Sequence, residues 1–187
     1  MATHTRTPAT LDDLSRVDGK AELIDGEIVH LMSSGFLPSQ IALMIAMSLH
    51  VYAKRNGLGV AFGDGVGYAL ATPLMGGRQS FSPDASLYSG PVPSNPMRFI
   101  PGIPIFAVEV RSENDYGPAA ERDMKAKWAD YFEAGTLVVW DVDPIAMTVA
   151  VYRDPSLTPD HVYQAGEVAE AEPAVPGWRC PVDELFQ

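Results

Sequence analysis

At 187 residues, 47% of them apolar and 20% charged, the chain can bury one hydrophobic core and lies far from the composition of a disordered segment. Its net charge of −11 argues against a general polyanion binder, and a single cysteine, Cys180, excludes an internal disulfide framework. The charge is uneven, because from Asp154 to Gln187 seven acids face one base, Arg179.

The opening MATHTRTPATLDDL lacks the apolar core of a signal peptide. Residues 1–19 read as a loose lead-in with one short helix near Leu11, for which Thr10 is a suitable cap. Residues 20–187 are then expected to form a single domain. In AELIDGEIVHLM, two short runs flank Asp25-Gly26, a dipeptide suited to the positive φ angles of a two-residue hairpin turn. A helix is predicted over Pro38–Asn56, ended by Gly57, with Ile41, Ile45 and Leu49 on one side. Its apolar stretch Ile41–Tyr52, broken by Ser48 and His50, is too short for a bilayer span. A soluble, cytoplasmic protein with no membrane partner is expected.

Strand-like runs follow at Val60–Phe62, Tyr68–Ala71 and Ala85–Tyr88. Pro91–Pro104 holds five prolines and reads as an irregular loop. Ile105–Val110 is an apolar run interrupted by Glu109, the pattern of a central buried strand. Pro118 opens a second helix that Gly135 ends, and strands are predicted at Leu137–Val142, Thr148–Tyr152 and His161–Tyr163. The Pro-rich end is expected to dock Leu185 and Phe186 on the core. The order of elements indicates a mixed α/β sheet flanked by helices, with an N-terminal β-hairpin.

Four positions stand out as chemistry. Asp84 follows Pro83 at the start of a short strand. Glu109 would be costly to bury without a counter-charge, a proton or a metal. It shares a strand face with Ala107, Ile105 and Arg111. On the second helix Ala120, Met124, Trp128 and Tyr131 make a stripe about 80° wide, and Lys127 lies roughly 20° from its edge. The fourth is Glu22 or Glu27, on either side of the hairpin turn. Two acids on neighbouring strands and a lysine on the covering helix suit metal-assisted phosphodiester hydrolysis. The carboxylates and the Val110 carbonyl would bind Mg²⁺ or Mn²⁺, and the lysine would orient or activate water.

In order, ELIDGE, a helix, Pro83-Asp84, Val108–Val110, Ser112 with Asp115, Lys127 with Tyr131, Ala134-Gly135 and Val138–Pro144 resemble the Uma-type restriction endonuclease family. The PGW-R-PVDELF segment, Pro176–Phe186, extends the likeness. The resemblance implies a PD-(D/E)xK nuclease-like fold, with Asp84 and Glu109 as metal ligands and Lys127 as the family's lysine displaced onto the helix. Where many such nucleases carry lysine two residues after the acid, this chain has Arg111, which cannot act as a base and is assigned to phosphate. Gln40 stands where the family often has histidine, and SEND replaces the commoner SPSD after Glu109.

Each position also has a structural reading. Asp84 suits a turn, Glu109 an ion pair with Arg111 or Arg98, and Lys127 an extended solvent-facing lysine. A DNA endonuclease working as a homodimer is the function expected. A catalytically idle interaction module of the same fold is the alternative, supported by the acidic surface and by the lack of any DNA-reading motif.

Overall fold

The computed structural model describes residues 7–156 and 158–187. Its elements are α1 (Leu11–Leu14), β1 (Ala21–Ile24), β2 (Glu27–His30), α2 (Phe36–Asn56), β3 (Val60–Gly63), β4 (Tyr68–Ala69), β5 (Ser80–Phe81), β6 (Ala85–Tyr88) and β7 (Ile100–Pro101). There follow β8 (Phe106–Val110), α3 (Pro118–Ala134), β9 (Val138–Asp143), β10 (Thr148–Tyr152), β11 (His161–Tyr163), β12 (Val168–Ala171), β13 (Val175–Pro181) and α4 (Val182–Leu185).

The expected mixed sheet has six strands in the order β11-β10-β9-β8-β6-β3. Only β8 and β9 run parallel among these neighbours, and α3 supplies the long crossover that a parallel pair requires. Both central strands are covered on two faces, which explains their nearly continuous apolar runs. On one face α2 lays Ile41, Ile45 and Leu49 against Leu87, Phe106 and Val108. On the other, α3 sets Trp128 and Tyr131 over Ala107 and Val139. Trp128 packs against Tyr152 at 4.6 Å between ring centres and Tyr131 stacks on Phe81 at 4.4 Å. Each fully buried side chain of this size contributes about 1.5–3 kcal/mol, enough to fix the rotation of α3 about its axis. Ile105 precedes the strand proper and packs on the α2 side, so it does not share the face of Glu109.

The hairpin turn is as the sequence predicts: Asp25 and Gly26 have φ of 50° and 69°, the two positive values such a turn needs. α3 begins with Pro118 and ends at Gly135, φ 104°, whose N–H caps the carbonyls of Tyr131 and Phe132. α2 begins at Phe36, ahead of the expected Pro38, because a proline in the first turn has no helical hydrogen bond to lose. Its 21 residues are long and apolar enough to cross a membrane by length and composition, unlike the interrupted run expected. Its inner face lies in the core, while Phe36, Leu43, Met47 and Val51 are exposed.

The N-terminal stretch expected to be loose is anchored from Ala9, whose N–H bonds the Gly26 carbonyl. Thr10 and Asp13 form a capping box on α1, and Leu14 is buried against Ala21 and Leu23. The Pro91–Pro104 loop contains β7, which pairs parallel to β4. The Pro-rich end folds as the β12–β13 hairpin, and Trp178 stacks on Trp140 at 5.0 Å. Because among the described residues β13 pairs with β12 alone, Pro176 and Pro181 can occupy it without interrupting a central ladder. Leu185 is buried and Phe186 partly so, both on the α2 layer as expected.

Candidate metal centre

Pairing of Ala85 with Val108 places Asp84, one residue earlier, beside the end of β8. The backbone N–H of Asp84 donates to the Val108 carbonyl at 3.0 Å, and the Val110 N–H donates to Asp84 Oδ2 at 2.8 Å. Asp84 is therefore stitched to β8 through both main chain and side chain. Strand alternation sends Glu109 to the α3 side, where Lys127 and Tyr131, four residues apart, share a helix face. Lys127 Nζ lies 2.9 Å from Glu109, and the Tyr131 hydroxyl donates to Glu109 Oε1 at 2.7 Å.

The β1–β2 hairpin covers this pair from the side. Glu22 Oε1 accepts from the Ser82 N–H at 2.9 Å and sits 3.1 Å from Lys127 Nζ, while Oε2 is bound by Arg78. Arg78 is held in turn by Asp130 through Nε at 2.7 Å. Lys20, on the same face of the hairpin as Glu22, bridges Asp84 Oδ1 at 2.9 Å and Asp64 Oδ1 at 2.6 Å. Lys20, Glu22, Arg78, Asp84, Glu109 and Lys127 line a cleft of about 410 Å³ together with Val110, Arg111, Asp115 and Trp128.

Electrostatics differ between Glu22, which is buried, and Glu109, which is half-buried. Burial opposes the charge of Glu22, but Lys127 and Arg78 prevail and hold its carboxyl below the ordinary value. Burial also dominates at Glu109, where the charges of Asp84 and Glu22 add to it, and its carboxyl is raised despite Lys127. Lys127 is itself half-buried, yet Glu109 and Glu22 overcome the cost of desolvation and push its pKa up, so it stays an ammonium at neutral pH. Counted together among the described residues, Glu22, Asp64, Asp84, Glu109 and Asp130 pair only with Lys20, Arg78 and Lys127, an excess of two negative charges.

Among the described residues, no three His, Cys, Asp or Glu side chains converge as a cage for a cation. Mg²⁺ does not need one, since it is commonly held by one or two carboxylates and keeps several waters. Asp84 and Glu109, with a two-charge deficit around them, fit that donor set.

The structure brings Asp84, Glu109, Val110, Lys127 and Tyr131 together, and of the two hairpin acids it places Glu22 there. Glu27 is exposed on β2, opposite Ile24. Gln40 lies on α2, on the opposite face of the sheet, and donates to the Gln187 carbonyl at 3.3 Å. Asp115 lines the cleft rim and accepts from both the N–H and the hydroxyl of Ser112. Arg111 also lines the cleft, but its guanidinium is taken by Asp141, through Nε at 2.8 Å and Nη2 at 2.6 Å, and by Glu121. The counter-charge of Glu109 is thus Lys127, not Arg111 or Arg98, and Arg98 pairs with Asp12. Sequence reasoning missed Lys20, Arg78 and Asp64. Period-two alternation from Glu22 would have found Lys20, whereas no local pattern marks the other two.

The model of the Uma2 family, described as "Putative restriction endonuclease", matches residues 8–183. The chain belongs to the Uma2 family. Among solved structures, a "putative nuclease belonging to DUF820" from Anabaena variabilis is similar, with a TM-score of 0.72 at 20% identity over 96% of this chain and 98% of that one. That likeness confirms the nuclease-type mixed fold expected from the sequence. No curated protein matches the chain.

Proposed function

We propose that this Uma2-family chain is a divalent-metal-dependent endonuclease acting on DNA. The observation that carries the reading is the convergence of Asp84, Glu109 and Lys127 in one cleft, within an ion-pair network whose carboxylates exceed its cations by two. Asp84, Glu109 and the Val110 carbonyl would hold Mg²⁺ or Mn²⁺. Bound there, the ion would polarise a phosphate oxygen and lower the pKa of an attacking water. Lys127, an ammonium at neutral pH, is suited to orient that water and offset developing negative charge, not to remove a proton. Tyr131 fixes the rotamer of Glu109, and Glu22 fixes Lys127. Arg111 would meet a phosphate through the nitrogen that the partly exposed Glu121 now occupies, while Asp141 anchors the rest of its guanidinium.

Supercoiled plasmid incubated with Mg²⁺ or Mn²⁺ tests this directly. The wild type should nick or linearise it, and Asp84→Ala and Glu109→Ala should not while keeping native circular dichroism. An active Asp84→Ala variant overturns the assignment. If the wild type binds metal tightly yet cleaves no nucleic acid, the chain is an idle interaction module instead.

A homodimer in the cytoplasm belongs to the same reading. The outer stripe of α2, Phe36, Leu43, Met47 and Val51, carries no acid, and Lys54 and Arg55 end the helix. Its other end abuts α4, with Asp183 and Glu184. An antiparallel second copy would cover the stripe and set bases against acids. Met47→Glu should then give a monomer in sedimentation, and a wild type monomeric at micromolar concentration refutes the dimer.

A further inference from the structure

Lys20 is set apart from the other cations of the cleft by what holds it. Arg78 is fixed between Glu22 and Asp130, and Lys127 between Glu22 and Glu109, so neither of them contacts Asp84. Lys20 instead places its ammonium on Asp84 Oδ1 at 2.9 Å, while Oδ2 is taken by the Val110 N–H. Both oxygens of Asp84 are therefore engaged, and the one not tied to the backbone is covered by a positive charge. The side chain of Lys20 is 20% exposed and that of Asp84 13%, so the contact is partly shielded from solvent. Its second partner, Asp64, lies in the β3–β4 loop with a side chain 52% exposed, 2.6 Å from Nζ.

We infer that Lys20 is a built-in counter-ion that occupies the cation position on Asp84 and yields it to the divalent ion, with Asp64 holding the displaced ammonium. The inference rests on the metal-centre reading above. Without Lys20, Asp84 and Glu109 would stand together against Lys127 alone, and like charges at close range in a shielded site repel. With Lys20 in place, the ligand-free protein is tolerable, but an incoming cation must compete for Oδ1. Lys20 thus makes the apo protein more stable and metal binding weaker, two effects of one contact.

Calorimetric titration with Mn²⁺, together with melting in EDTA and in saturating Mn²⁺, separates these effects. The proteins compared are wild type, Lys20→Met, Lys20→Arg and Asp84→Asn. Lys20→Met should melt below wild type in EDTA, bind Mn²⁺ at least tenfold more tightly, and lose its melting deficit in saturating Mn²⁺. Lys20→Arg keeps the charge and should stay within about threefold of wild-type affinity. Lys20→Gln, closer to lysine in polarity, replaces Lys20→Met if the latter does not fold. Wild-type or weaker affinity in Lys20→Met, with the wild-type site intact and lost in Asp84→Asn, overturns this inference and leaves the metal centre standing. No binding by any of the proteins overturns the metal centre and the inference together.

Discussion

Replacing Glu22 by Gln keeps the size of the side chain and removes one buried negative charge. Glu22 is 2% exposed and serves three partners: the Ser82 N–H, Lys127 and Arg78. Removing one member of a buried ion-pair network costs about 3–5 kcal/mol, because the cations stay behind uncompensated. Here Arg78 keeps Asp130 and Lys127 keeps Glu109, which places the loss at the lower end, about 3 kcal/mol. For a chain of this length that is a fall in melting temperature of roughly 6–12 °C. The pH dependence follows from the depressed carboxyl of Glu22, whose ordinary value is 4.5. A group held below its unfolded pKa contributes stability that is present above that value and is lost as pH falls through the folded pKa. The gap between wild type and Glu22→Gln should therefore be constant at neutral pH and close below about pH 4.5. Thermal melts in EDTA across that range are the assay. A variant melting with the wild type at pH 7, or a gap that widens in acid, refutes the assignment of Glu22 as the anchor of the cleft.

Glu109→Gln should do the opposite. Its carboxyl is raised by burial and by the nearby charges of Asp84 and Glu22, so ionised Glu109 costs the ligand-free fold stability as pH rises above 4.5. The variant should melt above wild type in EDTA at pH 7 and show no advantage near pH 4, and an unstable variant at pH 7 would contradict the sign. Arg111→Met strands Asp141, which is 4% exposed, and should cost about 3–5 kcal/mol in urea unfolding. A loss under about 1 kcal/mol would show that Asp141 is neutral in the fold.

Much of the framework is legible in local sequence because local physics sets it. Asp25-Gly26 dictates its turn, Pro118 and Gly135 bound α3, and the apolar run around Glu109 identifies the central strand. The helix stripe that aims Lys127 at the sheet is legible for the same reason, since Trp128 and Tyr131 have only one face to bury. What the sequence hides depends on distant pairing. Nothing near Arg78 shows that it will meet Glu22 and Asp130, which are 56 and 52 residues away. Glu22 and Glu27 look alike in sequence, and only the packing of β1 against β5 and Ser82 separates the buried acid from the exposed one. The β12–β13 hairpin was obscured by prolines that an interior strand would reject but an edge accepts.

Calorimetric titration of Mn²⁺ into the metal-free wild type and Asp84→Asn, both confirmed as folded, tests whether Asp84 and Glu109 form a divalent-cation centre. The wild type should show one saturable site, lost or weakened at least a hundredfold in the variant. Equal binding by the two proteins, or none by the wild type, would contradict such a centre.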